Sequence, residues 1–271
     1  MVGIIWILSS KSGMDYRLSW FFGACFAVVN NFFGSKFFAF KWVNDDMGMK
    51  FGFLAKFDFL QNIASMLVSG INPAVIHNIE KYFALKKVHY LSAVEDIEGD
   101  YLEFGVFKGS SFCHSIRCAH SLKKIHPSVK STRFYGFDSF EGFGDLLEDD
   151  VHSFYTNENF ETNYEFVDNR VRKMSKSSEY ILIKGFFNET LRLGAEYHGI
   201  KKTRIVFIDS DTYSSSIDAL RFVLPTIQEG SYIILDDFFS YKGSKEKGVA
   251  KAFEEFVKEG NLLVRRVMDY G

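Results

Sequence analysis

Residues 99–111 read GDYLEFGVFKGSS. An apolar run from Tyr101 to Phe104, interrupted only by Glu103, ends on Gly105, and Gly109-Ser110-Ser111 opens a segment of helical texture. A strand that passes straight into a helix through a bend with two glycines can turn tightly and let a ligand approach its backbone. The helix N-terminus beyond the bend offers unpaired N–H groups. The expectation is a nucleotide-like ligand, although a plain strand-to-helix turn would use the same GxxxG spacing. Neither GxGxxG nor GxxxxGK[ST] is present, so the dinucleotide and P-loop readings lose support. Glu103, an acid at the end of an apolar strand, shifts the balance toward a ligand site.

Beyond Gly99, short β-rich runs alternate with helical segments. The runs are residues 101–104, 133–137, 180–183, 204–208 and 231–235. Helices are expected at 111–124, within 163–175, at 215–224 before Pro225, and at 248–259. This alternation predicts an α/β fold with a mostly parallel, doubly wound sheet, whose ligands sit beyond the carboxyl ends of the strands. Upstream, apolar residues at helical spacing between Met49 and Glu98, broken at Pro73, predict two auxiliary helices.

The strand ends carry the acids. Asp138, followed by Ser139, closes the second strand, where a carboxylate can accept hydrogen bonds from ribose hydroxyls or cap a turn. The fourth strand ends in Asp209-Ser210-Asp211 and the fifth in Asp236-Asp237. Carboxylates at the tips of buried strands are costly unless paired or bound to a cation. Oxygen donors with no Cys or His motif beside them suit a hard ion such as Mg²⁺. Asp209, Asp236 and Asp237 are the expected ligands, with Asp211 as a spare or as a helix cap; pairing of the same acids with lysines stays open. Residues 141–166 are acidic, aromatic and too long for an ordinary connection, and are expected to form a substrate lid. His152 in this lid and Asp209 compete for the role of proton acceptor.

A net charge of −2, from 32 basic and 34 acidic residues, gives no reason to expect a nucleic-acid partner. Three cysteines without a CxxC pair argue for a reducing, cytoplasmic setting. The first 47 residues stand apart. Residues 18–35 carry no charge and approach the length of a bilayer span, so they are expected either to contact a membrane or to pack as an apolar helix.

Five segments in order, GDYLEFGVFKGSS, FYGFDSFEGF, ILIKGFFNETL, RIVFIDSDTYSSSIDAL and YIILDDFFSYKGSKEKGVAKAFEEF, resemble the macrocin O-methyltransferase-like family of class I S-adenosylmethionine enzymes. The resemblance runs from about Tyr82 to Tyr270. It implies a Rossmann-like methyltransferase fold over 99–271, with S-adenosylmethionine at Glu103, Gly105, Gly109, Ser110 and Ser111 and its nucleoside at Asp138 and Ser139. It also implies Mg²⁺ at Asp209, Asp236 and Asp237, a sugar or glycan hydroxyl as methyl acceptor, and a homo-oligomer. Ser110 stands where the family usually has a second glycine. Residues 265–271 read as a sixth strand, and the family pattern adds a further strand that the sequence does not contain. Two other readings stand beside this one: a non-catalytic, membrane-associated ligand-binding component of a glycan pathway, and a nicotinamide oxidoreductase.

Overall fold

The computed structural model describes residues 58–123, 126–156, 160–175 and 178–270. The chain divides into two compact units, 1–72 and 73–271. In the first unit the described element is helix α1 (Asp58–Ser69). The expected apolar segment 18–35 lies outside the described residues, and among those described no helix is long and apolar enough to cross a membrane.

The second unit is built on five parallel strands: β1 (Asp100–Phe104), β2 (Phe134–Asp138), β3 (Tyr180–Lys184), β4 (Thr203–Ile208) and β5 (Ile227–Leu235). Their order is β3-β2-β1-β4-β5, and every pairing is parallel. β1 and β4 are buried along their whole length because helices cover both faces. On one face lie α2 (Pro73–Val94), α3 (Ser110–Leu122) and α4 (Tyr164–Ser175), which contribute Leu85, Phe112, Ile116, Val167 and Val171 to the core. On the other lie α5 (Tyr213–Val223) and α6 (Gly248–Glu259), which contribute Ile217, Leu220, Ala252 and Phe256. Strand order reverses between β1 and β4, so the chain leaves the sheet on opposite sides there and opens a crevice at the strand tips.

The structure departs from the sequence expectations in three places. α2, expected as an auxiliary helix apart from the body, belongs to the second unit, because Leu85, Val88 and Ala93 are core residues. β5 starts at Ile227, several residues earlier than its apolar run suggests, with a register shift beside Thr203 and Gly230 in the left-handed region. Residues 265–270, read as a sixth strand, form no regular element. Met268 and Tyr270 pack against the core through their side chains without joining the ladder.

Candidate functional site

The bend after β1 is fixed by its surroundings. Gly105 has φ +91°, and a Cβ there would lie 1.9 Å from the carbonyl oxygen of Asp209, because the end of β4 passes directly beside it. Gly109 caps α3 at φ 73° and faces Val167. Asp138 holds the bend from the next strand: its carboxylate accepts from the amides of Val106 and Phe107, both at 2.7 Å, and from its own Phe140 amide at 2.6 Å. Burial raises its pKa, and the three amides pull against that shift. Ser139 donates to the Gly142 carbonyl and accepts from the Glu141 amide, closing the turn into the lid.

Below the bend, Glu103 is fully buried. It accepts hydrogen bonds from Tyr101 and, at 2.6 Å, from Ser111 Oγ. Burial pushes its pKa up to about 7 against these two donors. Glu103, expected at a ligand, therefore braces the strand-to-helix junction from inside, and Ser111 spends its hydroxyl on the same brace.

A cleft enclosing about 180 Å³ opens between the tips of β1, β2 and β4. Gly105, Asp138 and Ser139 line it from β1 and β2, and Asp209, Ser210, Asp211 and Lys81 from the end of β4 and from α2. Phe107, Phe143, Phe160, Phe186 and Phe187 contribute aromatic wall between them, a surface on which a flat heterocycle can stack. Glu103, Gly109, Ser110 and Ser111 lie behind this lining.

The carboxylates sort differently from the expectation. One oxygen each from Asp209, Asp211 and Asp237 comes within 4.8 Å of the others. Asp211 and Asp237 reach this arrangement from left-handed backbone, at φ 61° and 50°, strain that functional sites commonly retain. Asp236 touches Asp209 and is ion-paired beside this group: Lys81 Nζ lies 2.5 Å from it and His77 Nε2 3.3 Å. Burial opposes its ionisation, but the His77 hydrogen bond and the Lys81 charge hold the carboxyl well below the usual range. Burial pushes Asp209 and Asp211 the other way, strongly upward, and neighbouring carboxylates add to it. Asp236, expected as a ligand, is paired with Lys81 and His77 beside Asp209, and Asp211 joins Asp209 and Asp237. The helix-cap role considered for Asp211 falls to Thr212, whose Oγ1 accepts from the Ser215 amide.

The lid is tied down by residues the sequence did not single out. Asp150, fully buried, accepts from the Tyr213 amide at 2.8 Å and so caps α5, while its carbonyl accepts from the Tyr241 hydroxyl. Tyr155 shares a 2.6 Å hydrogen bond with Ser240 Oγ, which in turn donates to Asp237. His152 packs between Tyr155 and Tyr241, edge-on to the latter, and accepts from the Phe154 amide. It does not line the cleft, so tyrosine rather than histidine brings the lid to the acids. His77 and Lys81 were also missed; their one-turn spacing on α2 is the signal that could have marked them.

Residues 80–264 match the family model described as Macrocin-O-methyltransferase (TylF). Among curated relatives, the chain is 23% identical over 178 residues to mycinamicin III 3''-O-methyltransferase of Micromonospora griseorubida, covering 61% of this chain and 66% of that protein. It is 26% identical over 188 residues to 8-demethyl-8-(2,3-dimethoxy-alpha-L-rhamnosyl)-tetracenomycin-C 4'-O-methyltransferase of Streptomyces olivaceus, covering 61% and 64%. The matches span just under two thirds of the length of these relatives. In three dimensions the fold is shared with the calicheamicin methyltransferase CalS11 (TM-score 0.56, 20% identity, covering 75% of this chain and 81% of that one). It is shared also with the O-methyltransferase NovP (TM-score 0.54, 20% identity, 68% and 73%). The sheet is therefore the Rossmann-like sheet of class I methyltransferases, and the chain belongs to the macrocin O-methyltransferase (TylF) family.

Proposed function

We propose that this chain transfers a methyl group from S-adenosylmethionine to a hydroxyl of a sugar, in a glycan or a glycosylated small molecule, with the help of Mg²⁺. The observation that carries this reading is the cleft at the β1/β4 reversal, whose lining brings the glycine bend and Asp138 together with Asp209 and Asp211 of the carboxylate cluster. The names of the relatives, enzymes of O-methylation in which one is acting on a rhamnosyl compound, favour a sugar acceptor.

In this reading S-adenosylmethionine supplies an electrophilic methyl on its sulfonium, and a hard ion lowers the pKa of a bound hydroxyl. The donor set fits such an ion in its chemistry, since Asp209, Asp211 and Asp237 offer three convergent oxygens. Gly105, which presents bare backbone to the cleft, and Asp138, whose carboxylate is fixed by the bend amides, orient the donor, and the phenylalanine wall excludes water around it. Asp209, at the acceptor end, takes the hydroxyl proton on its carboxylate; His152, held between two tyrosine rings, is the weaker candidate. The family resemblance extends the proposal to a homo-oligomer, for which the exposed Val75, Ile79 and Phe83 on one side of α2 provide an apolar face.

The test is calorimetric titration with S-adenosylmethionine and its demethylated product, with and without Mg²⁺, followed by mass analysis of candidate sugar acceptors. Binding of the product, weakened about tenfold or more by Asp138→Ala, is expected. Absence of binding by both nucleosides would overturn the reading.

A further inference from the structure

Helix α1 (Asp58–Ser69) belongs to the unit Met1–Asn72, apart from the unit that holds the cleft. Every side chain from Gln61 to Asn72 is exposed, and on the helix Phe59, Ile63, Met66, Leu67 and Val68 are each between 46% and 67% exposed. At about 100° per residue, these five and Ala64 cover an arc of roughly 200° around the helix. Gln61, Asn62, Ser65 and Ser69 fill the narrower remainder. No lysine, arginine, aspartate or glutamate occurs from Phe59 to Asn72. A helix of 12 residues gains little from its own hydrogen bonds in water, and exposed apolar surface of this extent marks a contact.

The width, size and charge of the apolar arc identify what it contacts. A helix on a protein core turns an apolar stripe of about 100° inward; the arc on α1 is about twice as wide and has no charge at its edges to set register with a protein partner. A 12-residue helix is about 18 Å long and 10 Å wide, so one side offers roughly 300 Å². Each partner in a stable protein interface buries about 800 Å², whereas a bilayer sets no such minimum. α1 is too short to cross that bilayer, which takes about 20 residues, so it can only lie along it. The sequence of the same unit contains the uncharged residues 18–35 and all three tryptophans, Trp6, Trp20 and Trp42, a residue type enriched at membrane–water boundaries.

We infer that α1 is a membrane-surface helix, lying in the headgroup plane of a lipid bilayer with Phe59, Ile63, Met66, Leu67 and Val68 in the acyl boundary and Gln61, Asn62, Ser65 and Ser69 toward water. Because its polar side is uncharged, apolar insertion holds it there rather than attraction to anionic headgroups. This contact is independent of methyl transfer and brings the chain to a lipid surface whichever acceptor the cleft takes.

The experiment is co-flotation of the full chain with vesicles of phosphatidylcholine alone and of phosphatidylcholine mixed with phosphatidylglycerol, for wild type, Ile63→Glu/Leu67→Glu and Asn62→Glu/Ser65→Glu. Wild type is expected to bind both vesicles to within about threefold, with little change on adding salt. Ile63→Glu/Leu67→Glu is expected to bind about tenfold or more weakly, since its charges would enter the apolar boundary, while Asn62→Glu/Ser65→Glu stays within about threefold of wild type. A melting transition like that of wild type shows that the variants fold. Amide hydrogen exchange within α1 of wild type, which needs no variant, is expected to slow on adding phosphatidylcholine vesicles. No flotation of wild type, flotation only with phosphatidylglycerol, equal binding by the two double variants, or unchanged exchange in α1 would overturn the inference. A smaller solution mass for Ile63→Glu/Leu67→Glu than for wild type, measured without vesicles, would make a second copy the cover of α1 and overturn it as well.

Discussion

Glu103 carries the clearest electrostatic consequence of any single side chain. Its ordinary pKa of 4.5 rises to about 7 in the fold because burial outweighs the hydrogen bonds from Tyr101 and Ser111. Below pH 4.5 the group is protonated in both folded and unfolded chains and costs nothing. Between about 4.5 and 7 the unfolded chain gives up its proton while the folded one keeps it, so stability falls as pH rises, by about 3 kcal/mol in all. Glu103→Gln should therefore flatten the pH dependence of urea unfolding across that interval; a slope identical to wild type would contradict it. Gly105→Ala acts through sterics: the added methyl would meet the Asp209 carbonyl at 1.9 Å on backbone with φ +91°. A loss of more than about 3 kcal/mol in the same unfolding measurement is expected. Both positions were visible in the sequence as an acid and a glycine at a strand end, but not their division of labour. Sequence pattern reports that Glu103 ends a strand; only packing reports that its oxygens face inward to Tyr101 and Ser111. His77 and Lys81 were harder still, since their significance depends on partners 159 and 128 residues away.

At the scale of elements, the lid illustrates how a segment with only a short 3-10 turn, Glu148–Asp150, is held. Asp150 joins it to the first turn of α5, and Tyr241 returns to the Asp150 carbonyl. Asp150→Ala removes a side chain that caps a helix, at a cost of about 1 kcal/mol. The melting temperature should drop by roughly 2–4 °C, and limited proteolysis should cut sooner within residues 141–163. Unchanged cleavage in that interval would show that the lid is held elsewhere. The strands and helices of the sheet were legible because period-2 and period-3.6 patterns alternate cleanly after Gly99. α5 begins before the sequence boundary because Thr212 and Asp150 supply its N-terminal acceptors. Residues 265–270 misled because alternate apolar residues such as Met268 and Tyr270 mark burial as readily as pairing, and here their side chains pack without a ladder.

For the whole molecule, the boundary at Pro73 makes a prediction about what folds together. A chain beginning at Pro73 retains Leu85, Val88 and Lys81, and should melt in one cooperative transition. A chain beginning after Val94 loses core side chains from the first cluster and leaves Asp209 and Asp236 without their ammonium; a broad, non-cooperative melt is expected, since a buried carboxylate stripped of its partner is strongly destabilising. Equal cooperativity in the two would refute the assignment of α2 to the body. The same boundary has an optical consequence. Trp6, Trp20 and Trp42, the three tryptophans of the sequence, all precede Pro73. Emission from the shorter chain then comes from phenols alone, and Tyr155, hydrogen-bonded to the serine that donates to Asp237, sits where occupancy of the acids would alter its quantum yield. The lid clasp thus doubles as an intrinsic fluorophore, able to signal events among the acids without any attached dye.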